Sequence, residues 1–141
     1  MEKSRLLLSE VEIEVPFHDV DSIQMVWHGN HVKYFEIART ALLRRIDYDI
    51  AEMMESGVGY PVIELKCRYV QPIRYGMWIK VAAWVAETDH RLKINYQITE
   101  RDSGQRLAKG HTVQAALEVE SGKLIEPVEL QRRIQVYLEA Q

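Results

Sequence analysis

The sequence contains a single cysteine, Cys67, so no disulfide bond can form within the chain. Cys67 lies in an alternating, strand-like run, where a small buried side chain is a simpler interpretation than a reactive thiol. The chain also lacks a long apolar run. Three consecutive leucines near the amino terminus are soon followed by polar residues, which is too little for a signal peptide or a membrane span. We therefore expect a cytoplasmic protein.

The sequence also has no large excess of charge of either sign, with 18 Lys and Arg against 21 Asp and Glu. The net charge is −3 at pH 7, and the only adjacent basic pairs are Arg44 with Arg45 and Arg132 with Arg133. Such a chain has no general attraction for nucleic acid or anionic membranes, so we expect neither as a partner. The sequence has no Gly-rich phosphate loop and no G-x-S-x-G elbow, which argues against P-loop and serine-hydrolase chemistry. An anionic ligand would need a local basic pocket.

No internal repeat or linker interrupts the 141 residues, and we predict one domain spanning residues 1–141. Apolar residues at 11, 13 and 15 alternate with glutamates, which predicts a first strand ending near Pro16. Residues 30–46 predict a long helix with Asn30 as its N-cap. Apolar side chains cover most of the circumference of this helix, so it should be buried rather than rest on a surface.

The sequence changes character after Pro61. Four long strands are predicted at residues 61–70, 77–88, 91–100 and 106–120, and the short connections between them favour an antiparallel meander. A short helix ending at Gly57 and an amphipathic helix after Pro127 complete the pattern. The predicted fold is α+β, with a curved antiparallel sheet wrapped around a long central helix, which is a hotdog fold.

The segment FHDVDSIQMVWHGNHVKYFEIAR, residues 17–39, is the strongest functional signal. Two acidic residues, Asp19 and Asp21, follow the first strand and precede the long helix. This order can place a carboxylate beside exposed backbone N–H groups at the positive end of a helix, where an oxyanion can be held. Such a pair is sufficient for acyl transfer. Either carboxylate could instead simply stabilise an Asx turn, which is our interpretation of Asp19.

Three motifs resemble the hotdog-fold acyl-CoA thioesterases of the hydroxybenzoyl-CoA thioesterase-like group. They are D-x-x-x-x-V-W-H-G-N at residues 21–30, Y-F-E-x-A-R at 34–39 and the less specific Y-V-Q-P-x-R-Y-G at 69–76. The resemblance covers most of the domain. This chain has Gln24 where many relatives have glycine, which could alter the turn or add an amide to the site.

The resemblance implies that Asp21 is the catalytic carboxylate, acting as a nucleophile or as a general base on water. It also implies that the backbone N–H of His28 polarises the thioester carbonyl, while the His28 side chain could instead position the substrate. Further residues are predicted to bind or support the substrate. They are Trp27 and Tyr60 around the acyl group, Gly29, Asn30 and Glu64 near the reacting centre, and Arg68 and Arg74 for the phosphates of CoA.

We therefore predict an acyl-CoA thioesterase that needs no metal and no organic cofactor. His28 and His31 have H-x-x-H spacing, but no further residues complete a ligand set. A hotdog dehydratase acting on hydroxyacyl thioesters and a noncatalytic acyl-thioester binding module are the alternatives. The carrier of the acyl group could be CoA or acyl carrier protein.

We also predict a homodimer, or a homotetramer, with the active site at a subunit interface. The strand at residues 77–88 is long and apolar and lacks the proline or dense lysine that protects an exposed sheet edge. Pairing of two such edges across a two-fold axis would satisfy their backbone groups.

Overall fold

The computed structural model describes residues 5–141, which form seven strands and three α-helices. In chain order these are β1 (Leu6–Glu14), α1 (Asn30–Arg45), α2 (Ile50–Ser56), β2 (Val58–Gly59), β3 (Val62–Tyr69), β4 (Trp78–Glu87), β5 (Leu92–Glu100), β6 (Arg106–Gln114), β7 (Leu117–Glu118) and α3 (Val128–Glu139). The predicted α+β class and the curved sheet around a long helix are confirmed. Of the helices described, none has an apolar stretch that could span a bilayer.

The main sheet has the strand order β1-β4-β5-β6-β3, and every neighbouring pair is antiparallel. The predicted meander is present in β4, β5 and β6. It does not include β3, which crosses to the far edge and pairs with β6. Strand β4 is therefore an interior strand, and our prediction of residues 77–88 as an exposed edge was wrong. The edges of the described sheet are β1 and β3.

Helix α1 packs on one face of this sheet. The ring of Phe35 stacks on that of Tyr96 from β5, with centroids 4.5 Å apart and planes 9° apart. On the neighbouring strand β6, a Cβ atom at Gly110 would lie 2.9 Å from Phe35 Cε2. Glycine at this position therefore lets the helix approach the sheet closely.

The single chain does not enclose α1 completely. The side of the helix that faces the sheet is fully buried, as at Tyr34, Ala38 and Leu42, whereas Ile37 remains 41% exposed. Helix α2 is capped by Asp49, whose side chain forms a capping box with Glu52. It ends as predicted at Gly57, which has a φ of 74°.

Candidate active site

Asp21 opens a tight turn between the first strand and α1. The N–H groups of Ile23 and Met25 donate to Asp21 Oδ1 at 3.0 and 3.3 Å, and the Asp21 N–H donates to the Met25 carbonyl at 2.8 Å. Gln24 has a φ of 61°, a left-handed conformation in which glycine is favoured. The turn thus holds one carboxylate oxygen, while Oδ2 accepts no hydrogen bond from any residue in 5–141.

The chain then enters α1 through His28 and Gly29. The N–H of Trp27 donates to the Asp19 carbonyl at 3.0 Å, and the N–H of Asn30 donates to the Trp27 carbonyl at 2.8 Å. Within the described part of the chain, the N–H of His28 has no acceptor. The first turn of α1 contains no acidic side chain, so nothing on the helix itself neutralises its positive end.

Our prediction of Asn30 as the N-cap was wrong. The helix begins at Asn30 and its N-cap is Gly29, and no side chain of the described residues 5–141 caps it. Instead, Asn30 Nδ2 donates to the Asp19 carbonyl at 2.9 Å. The carbonyl of Asp19 therefore receives two hydrogen bonds, from Trp27 and Asn30, and these tie the loop to the helix start.

Asp21 and His28 line one pocket with a volume of about 350 Å³. The pocket combines these polar groups with an apolar wall from the turn and from the segment after β3. Tyr69 connects the two sides, because its hydroxyl donates to the His28 carbonyl at 2.8 Å. The lining residues are Asp21, Met25, Val26, His28, His31, Tyr69, Val70, Gln71, Pro72 and Ile73.

Some residues predicted to bind the substrate lie beside this pocket rather than in its wall. The Trp27 side chain is 53% exposed and covers Gly29, where a Cβ atom would come within 2.1 Å of the indole ring. Gly29 therefore makes room for Trp27 at the start of α1. Arg74 pairs with Met25 in an isolated antiparallel bridge, which places Arg74 next to the pocket.

The remaining predicted residues lie elsewhere. The Tyr60 hydroxyl hydrogen bonds to that of Tyr48 at 3.0 Å, and burial and this hydrogen bond raise the Tyr60 pKa. Glu64 hydrogen bonds to His111 at 2.8 Å. Arg68 lies in a separate groove, where it is accompanied by Lys66, Arg106 and Lys109.

Two parts of the pocket were not predicted as functional. His31 was considered only as one of a possible pair of metal ligands, and the segment 69–73 was considered only as part of the third motif, from which Arg74 alone was taken as a site residue. The signal for that segment was present, because residues 69–72 begin the third motif. About 40 residues of sequence separate this segment from the turn. The two come together only in the folded protein, through contacts such as the hydrogen bond from the Tyr69 hydroxyl to the His28 carbonyl.

Asp19 is not an Asx-turn residue, contrary to our prediction. Its side chain is 3% exposed and accepts hydrogen bonds from Lys33 Nζ and, at 2.7 Å, from the Tyr34 hydroxyl. Burial alone would raise the Asp19 pKa, but the hydrogen bonds from Lys33 and Tyr34 outweigh it and the pKa falls below its ordinary value. The same carboxylate raises the Tyr34 pKa, in addition to the effect of burial. Asp19 therefore anchors the loop to α1.

We expect Asp19→Asn to lower the free energy of unfolding at pH 7 by about 1–3 kcal/mol, because the pairing of a buried carboxylate with Lys33 is lost. Since the folded pKa of Asp19 is lowered, its contribution is fully present above the unfolded pKa of about 3.9. It is lost as the pH falls through the folded pKa. Urea unfolding at pH 7 and near pH 3 measures this change, and the difference in stability between the two proteins should be smaller at the lower pH.

The matched control is Asp21→Asn. The Asp21 side chain is exposed, and the side-chain carbonyl of asparagine can still accept the hydrogen bond from the Ile23 N–H in the turn. This control should unfold like the parent protein. Equal stability of Asp19→Asn and the parent at pH 7 would contradict the anchoring role. We expect Asp19→Asn to keep a substantial fraction of any activity.

The profile of the Thioesterase-like superfamily matches residues 15–135, a range that includes the whole pocket. A Bacillus subtilis protein named "Putative acyl-CoA thioesterase YneP" is 31% identical over 57% of this chain and 58% of its own length. The chain thus spans little more than half of that relative. A Synechocystis protein named "Putative esterase" is 30% identical over 82% of this chain and 70% of its own length.

The fold is also similar to solved structures. The structure described as DHNA-CoA thioesterase from Staphylococcus aureus has a TM-score of 0.82 and 25% sequence identity. The similarity covers 94% of this chain and 91% of the Staphylococcus chain. The hotdog fold predicted from the sequence is therefore confirmed independently of the motifs.

Proposed function

Because this chain belongs to the Thioesterase-like superfamily, we propose that it is an acyl-CoA thioesterase, which hydrolyses a thioester to a free acid and a thiol. One observation carries the proposal. Asp21 and His28 line the same pocket. Among residues 5–141, nothing donates to Oδ2 of Asp21 and nothing accepts from the backbone N–H of His28. The names of the Bacillus and Staphylococcus relatives support the same reaction and a CoA thioester as substrate.

The two groups have complementary roles in this reaction. Negative charge develops on the carbonyl oxygen of the thioester, and the His28 N–H at the positive end of α1 stabilises it by about 3 kcal/mol. The free oxygen of Asp21 attacks the carbonyl carbon or removes a proton from water. A thiolate is a good leaving group, so the site needs no strong general acid.

The shape of the pocket suits the acyl part of a substrate. Its volume of about 350 Å³ lies at the lower end of the range for ligand sites. His28, His31 and Tyr69 form an aromatic cluster, with the ring centroids of His31 and Tyr69 4.6 Å apart. A flat aromatic acyl group would pack well against such rings. Arg74, beside the pocket, would meet the phosphates of CoA, whereas Arg68 lies in a different groove.

Release of free thiol from a panel of aromatic and aliphatic acyl-CoAs, followed with a thiol-reactive dye, tests the proposed function. We expect turnover, with aromatic acyl groups preferred. Binding of acyl-CoA without any thiol release would contradict hydrolysis and favour a noncatalytic binding module. Conversion of a hydroxyacyl-CoA to the enoyl product, again without thiol release, would favour a dehydratase. The same assay with acyl carrier protein thioesters identifies the carrier.

We further propose that the protein is a homo-oligomer, either a homodimer joined through β3 or a homotetramer built from two such dimers. This edge strand has one described neighbour, β6, and leaves apolar side chains exposed on its surface, with Ile63 57% and Leu65 46% exposed. Exposed apolar edge strands are rare in soluble monomers because they invite pairing with another chain. Tyr69 at the end of β3 lines the pocket, so pairing there would bring the partner chain close to Asp21.

Light scattering at micromolar concentration should show a species of at least twice the 16.5 kDa chain mass. Leu65→Lys should shift it toward monomer and reduce turnover, because a charge would enter the paired edge. Leu138→Lys is the matched control on α3, where the leucine is 40% exposed, and it should change neither property. A fully active species of 16.5 kDa would contradict the dimer.

A further inference from the structure

His31 is the buried ionisable residue of the pocket. It lies in the first turn of α1, is only 4% exposed, and lines the pocket with Asp21 and His28. Its Nδ1 atom is enclosed and makes no hydrogen bond of ordinary geometry with any of residues 5–141. Buried polar groups are rarely left without a partner, so His31 calls for an explanation beyond packing.

The surroundings of His31 fix the direction of its ring. The ring of Tyr69 meets it edge to face at an interplanar angle of 77°, and Tyr69 is itself held by its hydrogen bond to the His28 carbonyl. The backbone carbonyls of His28 and Trp27 act on the ring as hydrogen-bond acceptors, since they oppose the lowering of the His31 pKa by burial. These carbonyls favour a proton on the enclosed Nδ1. The second nitrogen, Nε2, then carries a lone pair and is the one left for a partner in the pocket.

The ring should be neutral in the resting protein. Burial lowers the pKa of His31 below its ordinary value, and the carbonyls of His28 and Trp27 offset this only in part. The titratable residues that line the pocket together with His31 are Asp21 from the turn, His28, and Tyr69 from β3. A neutral imidazole with a free lone pair in a reaction pocket has the properties of a general base.

We propose that His31 is the general base that activates the hydrolytic water, which leaves Asp21 free to act as the nucleophile. This inference rests on the proposed thioesterase function and assigns separate roles to the two groups. It explains why a pocket that already contains a carboxylate also contains a buried histidine.

The steps balance as follows. An Asp21 oxygen bonds to the thioester carbon, the carbon–sulfur bond breaks, and CoA leaves as the thiolate. The acyl group is then held on Asp21 as a mixed anhydride. A water oxygen bonds to the acyl carbon while Nε2 of His31 takes one of its protons. The bond from the acyl carbon to Asp21 breaks, the carboxylate is restored, the acid departs, and the proton on His31 passes to solvent.

The test is pre-steady-state thiol release by His31→Phe, which keeps a ring against Tyr69 but has no nitrogen. We expect a burst of one thiol per site followed by turnover slower by about 10²-fold or more, since only the second step needs the base. Mass spectrometry of the quenched enzyme should find the acyl group on Asp21. The kcat of the wild type should decrease as the pH is lowered below about 6.5, because protonation removes the base. The kcat of the variant should not show this decrease.

Several controls separate the possible outcomes. His31→Gln should also give a burst and carries the test if His31→Phe does not fold. His90→Phe removes a histidine that is 81% exposed and does not line the pocket, and it should change neither the burst nor the turnover. Normal steady-state turnover, or slow turnover with neither a burst nor an acyl-enzyme, would overturn the role of His31. If the wild type releases no thiol from any acyl thioester, the proposed function fails together with this inference.

Discussion

Asp21→Asn should lower kcat by about 10³-fold or more while the protein remains folded, because an amide can neither attack a thioester nor accept a proton from water. The side-chain carbonyl of asparagine can still accept from the N–H groups of Ile23 and Met25, so the turn should be preserved. The measurement is thiol release under saturating acyl-CoA. The change removes a group that acts on the reacting carbon, and the loss should therefore appear in kcat rather than in KM.

The matched control is Asp102→Asn in the turn after β5, where the carboxylate is 74% exposed and paired with Arg101. Its kcat should equal that of the parent. Asp21→Asn should also retain the parent's melting temperature and its affinity for CoA, which shows that the site is intact. A correctly folded Asp21→Asn enzyme with near-normal kcat would exclude Asp21 as the catalytic carboxylate.

Local patterns were sufficient to predict most of the elements. The alternation at residues 11–15 and the apolar circumference of residues 30–46 both correspond to observed elements, and the hotdog fold and thioesterase family are confirmed. The position of β3 was not predictable in this way. Its short connection to β4 suggested neighbouring strands, but that connection bonds to the segment before α1, as in Val26 N–H to the Ile73 carbonyl at 2.7 Å. A strand's partner depends on such distant contacts.

The two carboxylates show a similar limit. Asp19 and Asp21 are two residues apart and equivalent by composition, so only the family resemblance distinguished them. The structure separates them physically, because Lys33 and Tyr34 on α1 reach Asp19 while Asp21 remains exposed. Likewise, nothing local to His31 indicates that Tyr69 will lie against it. Residues whose roles depend on contacts between distant segments were the ones that sequence reasoning missed.

His28→Pro should lower kcat by about 10²–10³-fold, because proline has no N–H to donate to the oxyanion. His28→Ala keeps the backbone N–H and should lose much less, by about tenfold or under. The comparison separates the backbone of His28 from its side chain, which the resemblance to thioesterases leaves open. Both variants also keep the carbonyl that accepts from Tyr69, so that wall of the pocket should remain in place.

Proline at residue 28 also restricts Trp27, so the folded state must be measured along with the rate. Thermal unfolding and CoA affinity of the two variants should be alike, and the difference between them should lie in kcat. Equal activity of the alanine and proline variants, with both folded, would exclude the His28 N–H as the oxyanion donor. A large loss in His28→Ala alone would assign the role to the imidazole, because that variant retains the backbone donor at the start of α1.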